Sequence, residues 1–221
     1  TEETRYYLNG IYLHKSDQGD LCAVATDGHR LALNRQGLPS GAAGMPSIIV
    51  PRKAVTELRK LLDDVEGEVG VALSDTRAEF TFGAVRLKTK LIDGTFPDYT
   101  RVIPQGNDRI MQVDAASFSA AVDRVSTISS EKSRSVKMKL APGVLNLSAS
   151  STDASSAVEE LEISYDGAEM EIGFNARYLL DIASQVESDI IEFALADQGS
   201  PSLVRAPGDE STLFVLMPMR V

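Results

Sequence analysis

The sequence contains no tryptophan, one cysteine and two histidines among 221 residues. A single cysteine, Cys22, excludes an internal disulfide framework and fits a reducing compartment. So few cysteines and histidines argue against a structural zinc site. There is also no glycine-rich phosphate loop. We therefore expect neither a metal nor a cofactor.

Long hydrophobic runs are also missing. The longest, residues 48–50 and 213–217, are far too short to span a bilayer. No basic segment followed by an apolar stretch opens the chain, so nothing indicates secretion. With 43% hydrophobic and 24% charged residues, the composition is that of a globular protein. We expect a cytoplasmic protein without a membrane partner.

Basic residues are in deficit, since the formal net charge is -10. This weakens a nucleic-acid hypothesis, because phosphate binding depends on Lys and Arg. The acidic excess, however, lies almost entirely in residues 110–221, and residues 1–109 are close to neutral. A near-neutral half can still present one basic face, so a DNA partner is not excluded.

The first half reads mainly as strands. Residues 5–8 and 10–14 form one predicted run, and the polar turn 17–20 leads back into a strand over 21–26. After Asp27-Gly28, residues 30–34 form a further strand, followed by a loop rich in Gly, Pro and Ser. Later strands are predicted over 48–50, 69–73, 78–82 and 85–90.

One helix interrupts these strands after Pro51. Its predicted inward side consists of Ala54, Val55, Leu58, Leu61, Leu62 and Val65. The opposite side carries Arg52, Lys53, Thr56, Arg59, Lys60 and Asp63. The basic members recur at seven-residue intervals, so one helical face is mostly positive. A solvated surface is the ordinary explanation of such a face.

The second half repeats this pattern, with helices predicted over 117–128 and 175–186 and strands between them. A strand–helix–three-strand unit occurs twice there, but only once in the first half, after three strands that lack a preceding helix. The sequence predicts an α+β fold with domains 1–109 and 110–221, and a boundary within residues 101–109. The imbalance suggests that the chain starts inside a domain.

Two motifs attract chemical interest. In residues 26–31, His29 could be a general base held by Asp27, but no Gly-x-Ser-x-Gly elbow accompanies it. A structural or binding turn is the stronger interpretation. At the C-terminus Pro218 must end a strand near Met217, leaving Met219 and Val221 beyond it. This segment either docks into the core or forms a Met-lined groove that accepts varied apolar side chains.

Six stretches in order resemble the bacterial DNA sliding clamp, the beta subunit of the replicative polymerase. They are Arg5-Tyr-Tyr-Leu-Asn-Gly, Ala25-Thr-Asp-Gly-His-Arg-Leu-Ala, Val50-Pro-Arg-Lys, Lys90-Leu-Ile-Asp-Gly-Thr-Phe-Pro-Asp-Tyr, Glu169-Met-Glu-Ile-Gly-Phe-Asn and Met217-Pro-Met-Arg. Each is weak alone, but together they run from end to end of the chain. Family members have three such domains, and two chains close into a ring with antiparallel sheets outside and helices facing the DNA.

The resemblance implies a non-catalytic processivity factor that slides on duplex DNA through phosphate contacts without reading bases. Implied partners are the polymerase III catalytic subunit, the clamp loader, translesion polymerases, mismatch-repair proteins, ligase and a second full-length copy. The family's first domain, and the opening strand and helix of its second, are not found in this sequence. We therefore expect that the chain alone cannot close a ring, which solution scattering would test.

The resemblance also implies a peptide-binding pocket between the two domains, a common place for a binding site. It would receive an extended peptide ending in Leu and Phe or similar residues. The first domain would contribute Leu8, Thr26, Gly28, His29, Arg30, Leu31, Pro97, Arg101 and Val102. The second would contribute Asn175, Tyr178, Val215, Met217, Pro218, Met219 and Arg220.

A DNA-facing set is implied as well: Arg5, Tyr6, Tyr7, Arg52, Lys53, Lys60 and Arg124. In residues 110–221 this basic face is thin, with Lys132, Arg134 and Arg177 as further candidates. Thr100 stands where the family often has a second Arg, and Val221 replaces the commoner Leu. Two other hypotheses stay open on the residues alone, a hydrolase that uses His29 and a purely structural oligomer segment.

Overall fold

The computed structural model describes residues 3–63, 65–129, 134–151 and 155–220. The chain forms two compact units, Thr1–Asp98 and Tyr99–Val221. The division lies before the predicted boundary at residues 101–109. Tyr99 begins a short 3-10 helix, Tyr99–Val102, at the start of the second unit. The Asn107 side chain donates hydrogen bonds of 2.9 Å to the Ala194 and Pro201 carbonyls, so the loop that carried the boundary signal is fixed to that unit.

The first unit contains seven strands and one α-helix among its described residues. In chain order these are β1 Gly10–Lys15, β2 Asp20–Thr26, β3 Arg30–Gly37, β4 Ile48–Pro51, α1 Arg52–Leu62, β5 Gly70–Leu73, β6 Arg77–Phe82 and β7 Val85–Lys90. Strands β4, β1, β2 and β3 lie side by side in that order, and β5, β6 and β7 form a second sheet. All neighbouring pairs are antiparallel.

The second unit contains two copies of the predicted strand–helix–three-strand repeat. They are β8 Arg109–Asp114, α2 Ala115–Ser126, β9 Ser135–Ala141, β10 Val144–Ser150 and β11 Ser156–Glu162, then β12 Met170–Asn175, α3 Ala176–Ala183, β13 Ile190–Leu195, β14 Ser202–Arg205 and β15 Thr212–Leu216. The strand orders are β11-β10-β9-β12 and β15-β14-β13-β8. The α+β prediction with antiparallel sheets is confirmed.

The N-terminal ends of α2 and α3 are set by capping side chains. The Asp114 carboxylate accepts a hydrogen bond of 2.8 Å from the Ser117 amide and caps α2, which therefore begins earlier than predicted. Asn175 caps α3 in the same way, through its side-chain oxygen and the Arg177 amide at 3.0 Å. The α3 helix ends at Ala183, before the predicted end at residue 186.

One hydrophobic core of the first unit lies between α1, β4 and the sheet of β5, β6 and β7. Alternate residues of β6, namely Ala78, Phe80 and Phe82, are buried against Ala54 of the helix. Leu61 was expected to face inward, but it is 38% exposed. It lies near the end of α1, and the residues that pack on this core at that end are Leu58 and Leu62.

The prediction of a strand over residues 5–8 is wrong. Glu3–Leu8 is a 3-10 helix, kinked at Arg5, where φ is -114° and ψ is 42°. The Asn9 amide donates a hydrogen bond of 3.0 Å to the Tyr6 carbonyl, which closes this segment as a turn before β1 begins. Aromatic residues favour strands on average, but local turn bonds and tertiary contacts override that preference here.

No helix within the described residues is long and apolar enough to cross a membrane. The lone cysteine, Cys22, is buried in β2. The serine-rich segment after β10 is a hairpin connection, because the Ser151 amide donates a hydrogen bond of 2.9 Å to the Ser155 carbonyl. The residues between these two lie outside the described part of the chain.

Candidate functional site

The turn between β2 and β3 is held by several side-chain hydrogen bonds. The Asp27 Oδ1 atom accepts hydrogen bonds from the backbone amides of His29 at 2.9 Å and Arg30 at 3.1 Å. The Asp27 Oδ2 atom accepts one from Arg30 Nε at 3.1 Å. The Thr26 hydroxyl donates to the Arg30 carbonyl at 2.7 Å and accepts from the Gly28 amide at 3.1 Å. The turn is therefore held by side chains at both of its corners.

These contacts argue against a catalytic pair of His29 and Asp27. A catalytic aspartate orients its partner through the imidazole ring, whereas Asp27 binds the backbone amide of His29 and the guanidinium of Arg30. Partial burial raises the pKa of the Asp27 carboxyl, but the hydrogen bonds from His29 and Arg30 outweigh it and hold that pKa below its usual value of 3.8. The carboxylate is a structural acceptor at neutral pH.

A pH dependence follows from this lowered pKa. A carboxyl whose pKa is depressed in the folded state stabilises it fully above the unfolded pKa, and this contribution is lost as the pH falls through the folded value. We expect the turn to stay ordered from pH 7 down to about pH 4, near that unfolded pKa, and to loosen below it. NMR chemical shifts of the His29 and Arg30 amides would report this. A midpoint above pH 4 would contradict the assignment.

Arg5 contacts the same turn. Its Nη1 atom lies 3.4 Å from the Asp27 carbonyl oxygen. Gly28 has a φ of +89°, and a Cβ atom built there would lie 2.6 Å from Arg5 Nη1. Glycine is therefore favoured at position 28 by its backbone conformation, whereas the guanidinium beside it ends a flexible side chain that can shift. The DNA-facing position that the resemblance implies for Arg5 stays a prediction, and the structure places its guanidinium against the turn.

Aromatic stacking orders the segment that leads to Pro97. The rings of Tyr12 and Phe96 stack with centroids 4.7 Å apart and an interplanar angle of 7°. On its own strand, Tyr12 also stacks with His14 at 4.6 Å. Pro97 itself is exposed. Sequence reasoning did not assign a role to Tyr12, although the Gly-Thr-Phe-Pro motif was the signal that could have pointed to an ordered loop.

In the second unit the C-terminal segment returns to the strand before α3. The Met219 amide, which lies beyond the last regular strand, donates a hydrogen bond of 2.8 Å to the Gly173 carbonyl of β12. This bridge places Met219 beside Gly173, which lies two residues before the helix cap Asn175. Met217 is 40% exposed. The segment is thus docked through its backbone while one thioether remains accessible. The final residue, Val221, lies outside the described residues.

Ten of the sixteen predicted pocket residues fall into three groups: one at the turn 26–31, one at the start of α3 and one in the 3-10 helix Tyr99–Val102. Thr26, Gly28, His29, Arg30 and Leu31 form or flank the organised turn, and Asn175, Tyr178 and Met219 lie around the start of α3. Arg101 and Val102 were assigned to the first domain but belong to the 3-10 helix of the second unit. Three of the apolar members are buried: Leu8, Leu31 and Val215. The side chains of Pro97, Val102, Met217 and Arg220 are exposed.

The basic face of α1 exists as predicted, since Arg52, Lys53, Arg59 and Lys60 are all exposed. Lys60 is paired with Glu57 at 3.1 Å. The DNA-facing assignment of Arg124 on α2 stays a prediction. Arg124 donates two hydrogen bonds to the Glu159 carboxylate, at 2.7 and 3.1 Å, so its charge is locally compensated. Arg134 and Arg177 are exposed, and Lys132 lies outside the described residues.

Comparison with known proteins agrees with these features. The family model described as DNA polymerase III beta subunit, central domain, matches residues 1–98, and the model of the C-terminal domain matches residues 100–220. The beta sliding clamp of Caulobacter vibrioides (strain NA1000 / CB15N) is 52% identical over 224 residues, which cover 100% of this chain and 60% of that protein. The beta sliding clamp of Pseudomonas putida is 39% identical with the same coverage.

Solved structures show the same relationship. The DnaN sliding clamp (DNA polymerase III subunit beta) of Bartonella birtlesii bound to griselimycin has a TM-score of 0.97 and 52% identity, covering 100% of this chain and 60% of that one. The Pseudomonas aeruginosa clamp bound to griselimycin has a TM-score of 0.94 and 38% identity. The chain spans about 60% of the length of these relatives. The chain therefore belongs to the DNA polymerase III beta subunit family, the beta sliding clamps, and carries that family's central and C-terminal domains.

Proposed function

We propose that this chain is part of a processivity factor, a ring-forming protein that holds polymerases and repair proteins on duplex DNA. The match of both units to consecutive domains of the beta subunit family carries this proposal. The role is tethering and not catalysis, and it is exercised in the bacterial cytoplasm. The alternative of a hydrolase has no comparable support, because Asp27 is engaged by backbone amides and by Arg30.

The basic face of α1 is the proposed DNA-facing surface. Its four cations lie on one side of the helix, opposite the side that packs into the core. Lys and Arg on a helix can contact phosphates without reading bases, which is what sliding requires. Arg124 would contribute less than these residues, since Glu159 compensates its charge. Tyr6 is 56% exposed and is a candidate for contacts near the same DNA.

A peptide-binding pocket is the proposed tether. Within the first unit we assign peptide contacts to the residues around the turn 26–31. Within the second unit we assign them to the residues around the start of α3 and the C-terminal segment. An exposed thioether and an exposed proline and valine offer apolar surface, while arginines and backbone amides orient an extended chain. Relatives have been solved with griselimycin bound, and we propose that this chain binds apolar peptide ligands.

Its proposed partners are those of a replicative clamp. They comprise duplex DNA, the DNA polymerase III catalytic subunit, the clamp loader, translesion polymerases, mismatch-repair proteins and ligase. The full-length protein would act as a homodimeric ring. Each protein partner would present a short clamp-binding peptide to the same pocket, so partners would compete with one another.

The test is a fluorescence-polarisation titration with a labelled peptide that ends in Leu and Phe. We expect micromolar binding, weakened about tenfold or more by Met217→Ala, because an adaptable apolar contact is lost. Leu61→Ala is the matched control, since Leu61 is exposed to a similar extent on α1. A folded protein that binds no peptide, or equal effects of the two variants, would overturn this placement of the pocket.

A further inference from the structure

The first unit has a second basic surface, on the sheet of β5, β6 and β7. Side chains alternate between the two faces of a strand. The register of this sheet places Arg77 opposite Lys90, Glu79 opposite Lys88 and Thr81 opposite Arg86. On the other side of β6, Gly70 of β5 lies opposite Thr81, and Ala72 lies opposite Glu79. We refer to these eight residues as the outer sheet face.

The charges on the outer sheet face do not balance. It holds four cations, Arg77, Arg86, Lys88 and Lys90, and one carboxylate, Glu79. Glu79 pairs with Lys88 at 2.9 Å and with Arg86 at 3.1 Å. The hydrogen bond from Lys88 is the main cause that holds the pKa of Glu79 below its usual value, so this carboxylate is charged and already engaged.

Arg77 and Lys90 form a cross-strand pair of like charge. Neither makes an ion pair with any described residue of the chain, and both are exposed. Like charges directly opposite each other destabilise a sheet. The arrangement also runs against the composition, since the chain has a net charge of -10. A patch of one charge on a surface attracts partners of the opposite charge, so this arrangement favours an anionic partner.

The outer sheet face is on the opposite side of its sheet from α1. The other face of β6 carries Ala78, Phe80 and Phe82, which are buried with Ala54 of the helix. The basic face of α1 points away from that shared core. If the α1 face lies against duplex DNA, as proposed above, then the outer sheet face is separated from it by the helix, the core and the sheet. Phosphates that α1 contacts cannot neutralise Arg77 and Lys90.

We infer that the outer sheet face binds an acidic, extended segment of a partner protein that is tethered to the clamp. Cations at alternate positions of β7 repeat at roughly 7 Å, which is also the spacing of alternate side chains in an extended peptide. Gly70 and Ala72 have no long side chain, so the neighbouring strand leaves this face open. Single-stranded nucleic acid fits less well, because its binding depends on aromatic stacking and both phenylalanines of β6 face the core.

This inference rests on the proposed tethering function, and its test uses the whole chain with a labelled peptide of alternating glutamate and serine at low salt. We expect Arg77→Gln with Lys90→Gln to weaken binding about tenfold. The same variant should unfold at an unchanged or higher denaturant concentration, because it removes a repulsion. The control is Lys137→Gln with Lys139→Gln, an equal loss of charge in the second unit, which should bind the acidic peptide like the native protein.

The outcomes separate the two proposals. No binding of the acidic peptide, or equal weakening in the control, would overturn the inference. Tighter binding of a single-stranded oligonucleotide than of the peptide would also overturn it, if the same variant abolishes that binding. Binding of the Leu-Phe peptide should be unchanged by the sheet variant. If that peptide fails on the native protein while the acidic peptide binds, the proposed pocket fails and the outer sheet face remains.

Discussion

Replacing Phe118 with alanine should lower the free energy of unfolding of the second unit by about 3–5 kcal/mol. Phe118 lies on α2, is completely buried, and contacts Phe193 of β13 with ring centroids 5.4 Å apart. Truncation removes a large apolar side chain and leaves a cavity in a core that holds α2 on its sheets. Denaturant unfolding followed by circular dichroism would measure the loss.

Two further variants make this result interpretable. Phe118→Leu should cost less, because it leaves a smaller cavity. Val158→Ala should change the free energy of unfolding by no more than about 0.5 kcal/mol, because Val158 is 65% exposed on β11. A loss below about 1 kcal/mol for Phe118→Ala would mean that α2 is not packed on the sheets as described.

The second large effect is expected on peptide binding. Asp27→Ala should weaken binding of the Leu-Phe peptide by about tenfold or more, because hydrogen bonds to a charged acceptor are among the stronger ones in proteins. The change removes the acceptor of the His29 and Arg30 amides and the partner of the Arg30 guanidinium. The turn would then lose its fixed shape, and the peptide would bear the cost of ordering it.

Matched substitutions distinguish this role from a general effect of charge. Asp27→Asn keeps an acceptor oxygen for the two amides and should retain most of the binding. Asp17→Ala removes the same charge from another hairpin turn of the same unit and should leave binding unchanged. Native affinity in Asp27→Ala, measured by the same titration, would show that the turn does not contribute to the pocket.

Most helices and strands could be predicted from the sequence because their hydrophobic periods are clear. The alternation in β6 and the helical spacing of α1 and α2 are local signals that survive folding. Of the predictions that failed, one has a local cause and the other a tertiary one. The aromatic content of residues 5–8 predicts a strand, yet the hydrogen bond from the Asn9 amide to the Tyr6 carbonyl closes a 3-10 turn. The loop before β8 resembles a linker, yet Asn107 fixes it to the second unit.

The candidate site was only partly predictable. The motif at residues 26–31 identified the turn, and the C-terminal Met-Pro-Met identified the other segment. The role of Asp27 was not recognised, because an Asp-Gly pair looks the same whether its carboxylate is solvated or bound to amides. The contact of Arg5 with the Asp27 carbonyl joins residues 22 positions apart, and no local pattern reports it.

The sequence by itself determined the family, the order of the elements and the basic face of α1, because each depends on residue identity or on spacing along one element. Only the tertiary structure decided which charges are free to act. Glu159 compensates Arg124 through pairing between a helix and a strand. Arg77 meets Lys90 only because the register of β6 and β7 sets them opposite each other. Register and helix packing are fixed by contacts between distant segments. These contacts determine which cations lie beside a carboxylate and which lie beside another cation.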